Sequence, residues 1–322
     1  MRWRLTLVIF GITFWVGAQN ISEPKTLTQE LHLVVENDVW ISLLSDQYYS
    51  SGIFGSYRHL LDSTKYPKKV INSTRSYGLS QRIYTARLID WELLEDLDRP
   101  YAGLISLFAQ QQFYLENNQY IGVKLELGWM GPSSFTGDIH ESWHGFFGLP
   151  TPRGWFAEVN DAPVINLFLD HGFQVARANG IELQADIILE SNLAMGTIFN
   201  SIGEHIVFRV GKLKPFPLSS FFGNTLGTKK PRQKSRIAVE AYFFYSPGVE
   251  YVFYDGTLQG GLIERNPSIF TKDPRQWRSQ HRAGLNFRYG VFDFNFIAFF
   301  QSRETDGVRR HQYAAIELKQ RF

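Results

Sequence analysis

Through most of its length this chain repeats one pattern: apolar side chains at every second position, with charged or amide side chains between them. In 120–130, Ile121, Val123, Leu125, Leu127 and Trp129 share one face, and Gly122, Lys124, Glu126 and Gly128 the other. In 180–190, Ile181, Leu183, Ala185, Ile187 and Leu189 oppose Glu182, Gln184, Asp186 and Glu190. In 282–289, Ala283, Leu285, Phe287 and Tyr289 oppose Arg282, Asn286 and Arg288, and in 292–301 Phe292, Phe294, Phe296, Ala298 and Phe300 oppose Asp293, Asn295 and Gln301. A period of two is that of a β-strand, and about ten residues is the length that crosses a bilayer. Soluble sandwiches and lipocalin-like barrels alternate as well. Their dry cores would not tolerate full charges on strand after strand. The pattern therefore predicts an all-β protein, a transmembrane antiparallel β-barrel.

About twelve strands can be counted, an even number that suits a single-chain barrel. They fall at 29–38, 51–61, 75–84, 102–115, 119–130, 163–178, 180–191, 204–213, 235–252, 279–289, 291–302 and 311–322. Short turns are expected at Asn117-Asn118, Asn179-Gly180 and Tyr289-Gly290. With both termini on the periplasmic side, the longer loops between strands one and two, three and four, five and six, and nine and ten all lie outside. The connection Lys214 to Lys234 breaks this rule: it should be a short periplasmic turn but is long and rich in Pro, Gly and Lys. Aromatic residues make up 16% of the chain, as the girdles of a membrane barrel require. The closing strand sets Ile316, Leu318 and Phe322 against Glu317, Lys319 and Arg321, and its terminal Phe resembles the last strand of bacterial outer-membrane proteins. Arg2 and Arg4 followed by the apolar run Leu5 to Val16 and the small pair Gly17-Ala18 read as a signal peptide, 1–19. Export is then expected, with 20–322 forming one barrel domain. There is no cysteine to staple it, and a net charge of +2 gives no reason to expect nucleic acid.

One long interruption stands out, Gly131 to Pro163. Residues 137–148 read as a short helix in an extracellular loop, capped by Thr136, favoured by Asp138 in its first turn and stopped by Gly148. Ile139, Trp143, Phe146 and Phe147 are expected to dock on the barrel rim. His140 and His144, four apart, share a face. The strand parity brings other polar groups to the same rim: Asn37 and Asp38 after the first strand, Ser50 before the second, Arg99 before the fourth. Polar groups distant in sequence that converge on one rim make a candidate site. His140-Glu141-Ser142-Trp143-His144 also fits the zinc-hydrolase pattern H-E-x-x-H, with Glu158 available as a third ligand.

An ordered set of strings carries a family resemblance. Glu36-Asn37-Asp38, the D-Q-Y-Y-S-S-G of Asp46 to Gly52, the D-R-P-Y-A-G of Asp98 to Gly103, Gly131-Pro132 through His144 and Gly148 to Gly154-Trp155, and Thr257 to Gly260 span most of the chain. Together they resemble the outer-membrane lipid A 3′-O-deacylases of the LpxR type. The resemblance implies a twelve-stranded barrel whose site faces the outer leaflet, and hydrolysis of an ester-linked acyl chain from lipid A with calcium. Position by position, it implies that His144 is the essential histidine, Asn37 and Asp38 the Asn-Asp pair, and Ser50 the hydroxyl residue. Two positions depart from it. His140 stands where the family has Gln, and Trp91 where a lysine is expected, with Arg87 the nearest cation. Arg87, Arg99 and Arg153 are candidates to meet lipid A phosphates. A monomer is expected.

An ester needs a nucleophile, a base and an oxyanion donor. His144 is the natural base. It could activate water while calcium on Asp38 polarises the carbonyl, or activate Ser50 for an acyl-enzyme. Asp38 could instead orient His144, and Asn37 could donate to the oxyanion. The rival from another class is a non-catalytic outer-membrane pore or structural barrel.

Overall fold

The computed structural model describes residues 26–41, 46–223, 225–227 and 239–322. Twelve strands close into one antiparallel barrel: β1 Gln29–Asn37, β2 Tyr48–Leu60, β3 Val70–Thr85, β4 Ala102–Leu115, β5 Gln119–Met130, β6 Ala162–Asn179, β7 Gln184–Gly196, β8 Phe199–Lys212, β9 Val239–Asp255, β10 Trp277–Tyr289, β11 Phe292–Gln301 and β12 His311–Arg321. Each strand pairs with its sequence neighbours, and β1 closes on β12 with Glu30 opposite Arg321 and Asn37 opposite Ala314. Closure leaves no open edge, which a strand protein in lipid must satisfy. Among the described residues, no helix is long and apolar enough to cross a membrane. The expected signal peptide lies outside the described residues.

The alternation sorts as expected. Leu125, Leu127, Leu285, Phe287, Phe292 and Phe294 face outward and are exposed, while Glu126, Asn286, Arg288, Asp293 and Arg321 face the lumen and are buried. Many luminal charges are paired: Arg209 meets Asp186 at 2.6 Å, Arg321 meets Asp293 at 3.3 Å, and Arg58 and Arg82 pair with Glu30 and Glu126.

The boundaries differ from the sequence reading in two instructive places. Leu183 ends a turn over 180–183, closed by the Gly180 N–H on the Leu183 carbonyl, so Ile181 and Leu183 are exposed turn residues rather than strand. At the opposite end, β7 and β8 run on to Gly196 and Phe199 through residues expected to be a loop. There Asn200 holds Gly196 through both its amide ends. Strands that project beyond the bilayer keep their hydrogen-bonded ladder but lose the lipid that imposes alternation.

The long 213–238 connection joins β8 to β9 at the end that carries both termini, and its residues 228–238 lie outside the described residues. The described part folds into the lumen. Phe216, Phe221 and Phe222 pack against Tyr114, Tyr120, Ile188, Val207, Tyr242 and Phe244. Polar ties hold it in place: Arg58 donates to the Gly223 carbonyl at 2.7 Å, Ser219 and Ser220 bond Glu240, and Thr225 donates to Glu30 at 2.8 Å. Above it a polar cavity of about 370 Å³ remains, lined by Glu36, Arg82, Lys124, Asp170, Glu317 and Lys319 among others.

The other end carries the long loops 38–47, 86–101, 131–161, 256–276 and 302–310. It holds α1 Thr136–Phe147 and the short α2 Gly256–Gln259.

Candidate active site on the loop-bearing rim

Helix α1 is held by its flanks rather than by the expected cap. Its N-cap position is Phe135, in the left-handed region at φ 55°, and the buried Thr136 hydroxyl has no partner. What starts the helix is a tight preceding turn. The Ser134 N–H bonds the Gly131 carbonyl, and Ser133 bonds Asp161 with both its N–H and its hydroxyl at 2.7 and 2.8 Å. Gly131 sits at φ 95° with the backbone of Asn160 2.8 Å from where a Cβ would stand, so glycine is required there. Gly148, left-handed at φ 65°, ends the helix as expected.

The face that α1 turns to the barrel is its histidine face. His140 and His144 are buried, at 4% and 6% exposure. Ile139, Trp143, Phe146 and Phe147, expected to dock, are instead exposed, Phe146 by 83%. Glu141 also faces water, so the base that the H-E-x-x-H pattern would supply points away from the two rings.

The D-R-P-Y-A-G string is the seat of this helix. Tyr101 is fully buried, packs edge-on against Trp155 at 5.2 Å and bridges to Glu158. Trp155 in turn lies 5.8 Å from the His140 ring. Gly103 and Gly154 allow this closeness: a Cβ would meet Thr136 at 2.5 Å and Tyr101 at 2.1 Å. Asp98 accepts from the Tyr48 hydroxyl at 2.9 Å and the Arg87 N–H at 3.0 Å.

At the centre lies Asp46. Its Oδ2 stands 3.1 Å from His144 Nε2 and 3.4 Å from His140 Nε2, and its Oδ1 accepts from the Ser50 hydroxyl. His144 Nδ1 lies 2.6 Å from the Pro150 carbonyl. A carbonyl only accepts, so Nδ1 carries a proton and Nε2 is the nitrogen free to change state. Burial alone would raise the Asp46 carboxyl, but the hydrogen bonds and charge of His140, the hydrogen bond of His144 and the Ser50 hydroxyl hold it well below the usual carboxylate range. Burial likewise pulls His144 down, and the Asp46 hydrogen bond, the Pro150 carbonyl and the Asp46 charge outweigh it, raising His144 above its ordinary value. Nearby, burial pushes Glu158 up to about 8, with Asp161 and Asp138 adding to the rise and the Gly103 N–H opposing it.

The sequence-derived candidates distribute as follows. Ser50 is in the cluster. Asn37 and Asp38 lie one ladder step away: Asn37 pairs with Ser51, and the Asp38 N–H bonds the Ser50 carbonyl at 3.2 Å. Asp38 Oδ2 accepts the Gln47 N–H at 2.8 Å, and Asn37 Oδ1 accepts that of Val39 at 2.8 Å, so both shape the loop that carries Asp46. The carboxylate beside His144 is Asp46. Glu158, offered as a third zinc ligand, is engaged by the Gly103 N–H instead. Arg99 does not offer a free cation. It is fully buried and bonds Glu304 at 2.5 Å, both oxygens of Thr257 at 3.0 and 3.2 Å and the Pro100 carbonyl at 3.0 Å. It ties three loops together. Arg153 pairs with Glu92 at the surface, and Arg87 lies over the Trp91 ring at 5.2 Å. Asp46 was legible only as part of D-Q-Y-Y-S-S-G; nothing in its spacing marked it as the partner of α1.

The chain matches the family model described as outer membrane protein LpxR over residues 5–322. Among solved structures, LpxR from Salmonella typhimurium is similar with a TM-score of 0.72 at 15% identity, covering 91% of this chain and 100% of that one. The β domain of the Bordetella autotransporter BrkA gives 0.45 at 9% identity, with 92% and 99% covered. The COG4313 outer membrane channel from Pseudomonas putida F1 gives 0.46 at 11%, with 93% and 97% covered. A search of curated protein sequences gives no match.

Proposed function

This chain belongs to the LpxR family of outer-membrane proteins, and we propose that it is a lipid A deacylase that removes an ester-linked acyl chain, the 3′-acyloxyacyl group, at the outer face of the membrane. The observation that carries the reading is the Asp46–His144–Pro150 relay. A carbonyl fixes one ring nitrogen as a donor, and a carboxylate faces the other. The carbonyl leaves Nε2 as the ring nitrogen that can take up a proton, and Asp46 beside it favours the imidazolium that results. It sits on the loop-bearing rim, opposite the termini. In an outer-membrane barrel with periplasmic termini that rim is extracellular, where lipid A lies.

In the proposed reaction, Nε2 of neutral His144 takes a proton from water as the oxygen attacks the ester carbonyl. The tetrahedral intermediate collapses and the C–O bond to the leaving alcohol breaks. The imidazolium returns its proton to that alcohol, so the products are a free acid and a hydroxyl on lipid A. Asp46 stabilises the imidazolium between the two transfers. The Asn37 amide nitrogen is the proposed donor to the oxyanion. Water is favoured over Ser50 as nucleophile, because the Ser50 hydroxyl donates to Asp46 and not to His144. Arg87 is the cation best placed for a phosphate, with Arg153 at the loop surface. The exposed aromatic face of α1 gives an acyl chain an apolar surface beside the rings.

Calcium, which the resemblance implies, takes six to eight oxygen ligands. The donors that meet at Asp46 are two imidazole nitrogens and one carboxylate. This set does not fit calcium.

The test is mass spectrometry of lipid A from cells expressing wild type, His144→Ala and Asp46→Asn. Wild type should remove the acyl chain. His144→Ala should leave it in place, and Asp46→Asn should slow its loss by roughly 10²–10⁴-fold, the range of general-base catalysis. Identical acylation in wild type and His144→Ala would end the deacylase reading.

A further inference from the structure

We propose that Asp46, His140 and His144 form a binding site for a divalent first-row transition ion of the zinc class. Among the described residues this is the one place where three His, Cys, Asp or Glu side chains bring ligand atoms within 4.8 Å of one another. The binding claim does not rest on the deacylase reading, and an ion on His144 Nε2 would occupy the lone pair that the proposed reaction uses as its base.

Three observations carry it. The first is spacing. Zinc bonds to imidazole and carboxylate are about 2.0–2.1 Å, so two ligand atoms on a tetrahedron stand about 3.3 Å apart. The separations from Asp46 Oδ2 to the two Nε2 atoms are 3.1 and 3.4 Å. The second is the tautomer. The Pro150 carbonyl keeps the proton of a neutral His144 on Nδ1. Its Nε2 lone pair then faces the lone pairs of an anionic carboxylate, and a cation between them turns that repulsion into two bonds. A carbonyl on the far nitrogen is the usual outer support of a metal-bound histidine, as a hydroxyl such as Ser50 on the far oxygen is of a carboxylate. The third is His140 itself. Its ring is buried against Trp155 and edge-on to His144 at 4.5 Å, and its Nδ1 has no hydrogen-bond partner. A buried second imidazole is costly unless it has a task. Its position, one helical turn before His144, puts both Nε2 atoms on Asp46.

The set is two nitrogens and one oxygen, which suits zinc, cobalt or nickel rather than calcium or magnesium. Three protein ligands leave a fourth position for water or substrate, the form of a hydrolytic zinc centre rather than a closed structural one. Lacking a carbonyl on Nδ1, His140 is the weakest of the three.

The rival is a metal-free ion pair, with His144 protonated and held by Asp46. The full-length mature protein, purified in detergent and stripped with a chelator, separates the two. Zinc is titrated in by calorimetry, and cobalt by its visible spectrum. The proposal expects wild type to bind one ion per chain, with the intense absorption of four-coordinate cobalt. His140→Gln should bind roughly tenfold or more weakly, and Asp46→Asn and His144→Ala more weakly still. Glu158→Gln should bind as wild type does. No zinc retained by folded wild type, or equal affinity in wild type, His140→Gln and Asp46→Asn, overturns the site. Zinc binding without any change in lipid A supports the site and sinks the deacylase reading. Deacylation by folded protein that takes up no zinc on titration overturns the site and supports the deacylase reading.

Discussion

At the scale of single residues, the rim shows how two carboxyls can be tuned in opposite directions at one end of a barrel. Asp46 is surrounded by donors and stays ionised; Glu158 has one N–H and two acidic neighbours, Asp138 and Asp161, and keeps its proton to about 8. Unfolded, Glu158 would lose that proton near 4.5. Between those values the folded chain binds the extra proton, so this residue's contribution to stability falls as pH rises from about 4.5 to about 8 and is level above. Glu158→Gln keeps an oxygen for the Gly103 N–H and cannot ionise. Its stability relative to wild type should therefore increase across that window, read as urea midpoints in detergent at pH 5 and pH 9. An equal difference at both pH values would show that Glu158 is ionised throughout. The same residues mark how far sequence reasoning reached. His144 was legible because a helix-length segment with a stop glycine placed it. Asp46 was not, because a loop aspartate has no periodicity, and its meeting with α1 depends on how Tyr101, Trp155 and Gly103 seat the helix.

At the scale of elements, legibility followed the membrane. Where lipid and lumen compete for alternate side chains, as in β5, β10, β11 and β12, the strands were readable to within one or two residues. Where the ladder leaves the bilayer, as at the β7–β8 turn, hydrogen bonding continues without a pattern. Helix α1 failed in the opposite sense. Its aromatic stripe looked like a docking face, yet the face that seats against Trp155 is the histidine one, with both rings turned to Asp46. The aromatics are left outside, Trp143 by 55% and Phe146 by 83%. In contact with acyl chains or the membrane interface, each such side chain is worth about 1.5–3 kcal/mol when buried. Trp143→Ala with Phe146→Ala should therefore weaken apparent substrate affinity for lipid A in vesicles by roughly 10–100-fold or more, with kcat little changed. Stability should shift by no more than about 0.5 kcal/mol, since neither side chain is buried in the fold. Unchanged kinetics on vesicles would remove α1 from substrate contact.

For the whole molecule, the question is whether the barrel is a conduit or a scaffold. Charged lumens in a polar row are what a pore would show, and the alternation alone could not distinguish the two. The 213–227 segment does bear on it. It enters from the terminus end, sets Phe216, Phe221 and Phe222 across the lumen, and is fastened to β1, β2 and β9 through Glu30, Arg58 and Glu240. Its composition gave no hint of this, because a Pro, Gly and Lys-rich stretch reads as solvent loop until the wall it packs on is known. The proposed centre lies at the opposite end. The two functions should therefore separate: wild type in planar bilayers should show no steady open-channel current. Replacing Phe216 and Phe222 with Ser removes two aromatic contacts, each worth about 3–5 kcal/mol when truncated in a packed core, and should loosen the segment and raise conductance. The barrel ladder and the Asp46–His144 pair are untouched by that change, so deacylation should persist in the leaky variant. Steady conductance by wild type at the level of an open pore would favour the passive-barrel reading. Loss of both properties together would show that the luminal segment and the rim are coupled rather than independent.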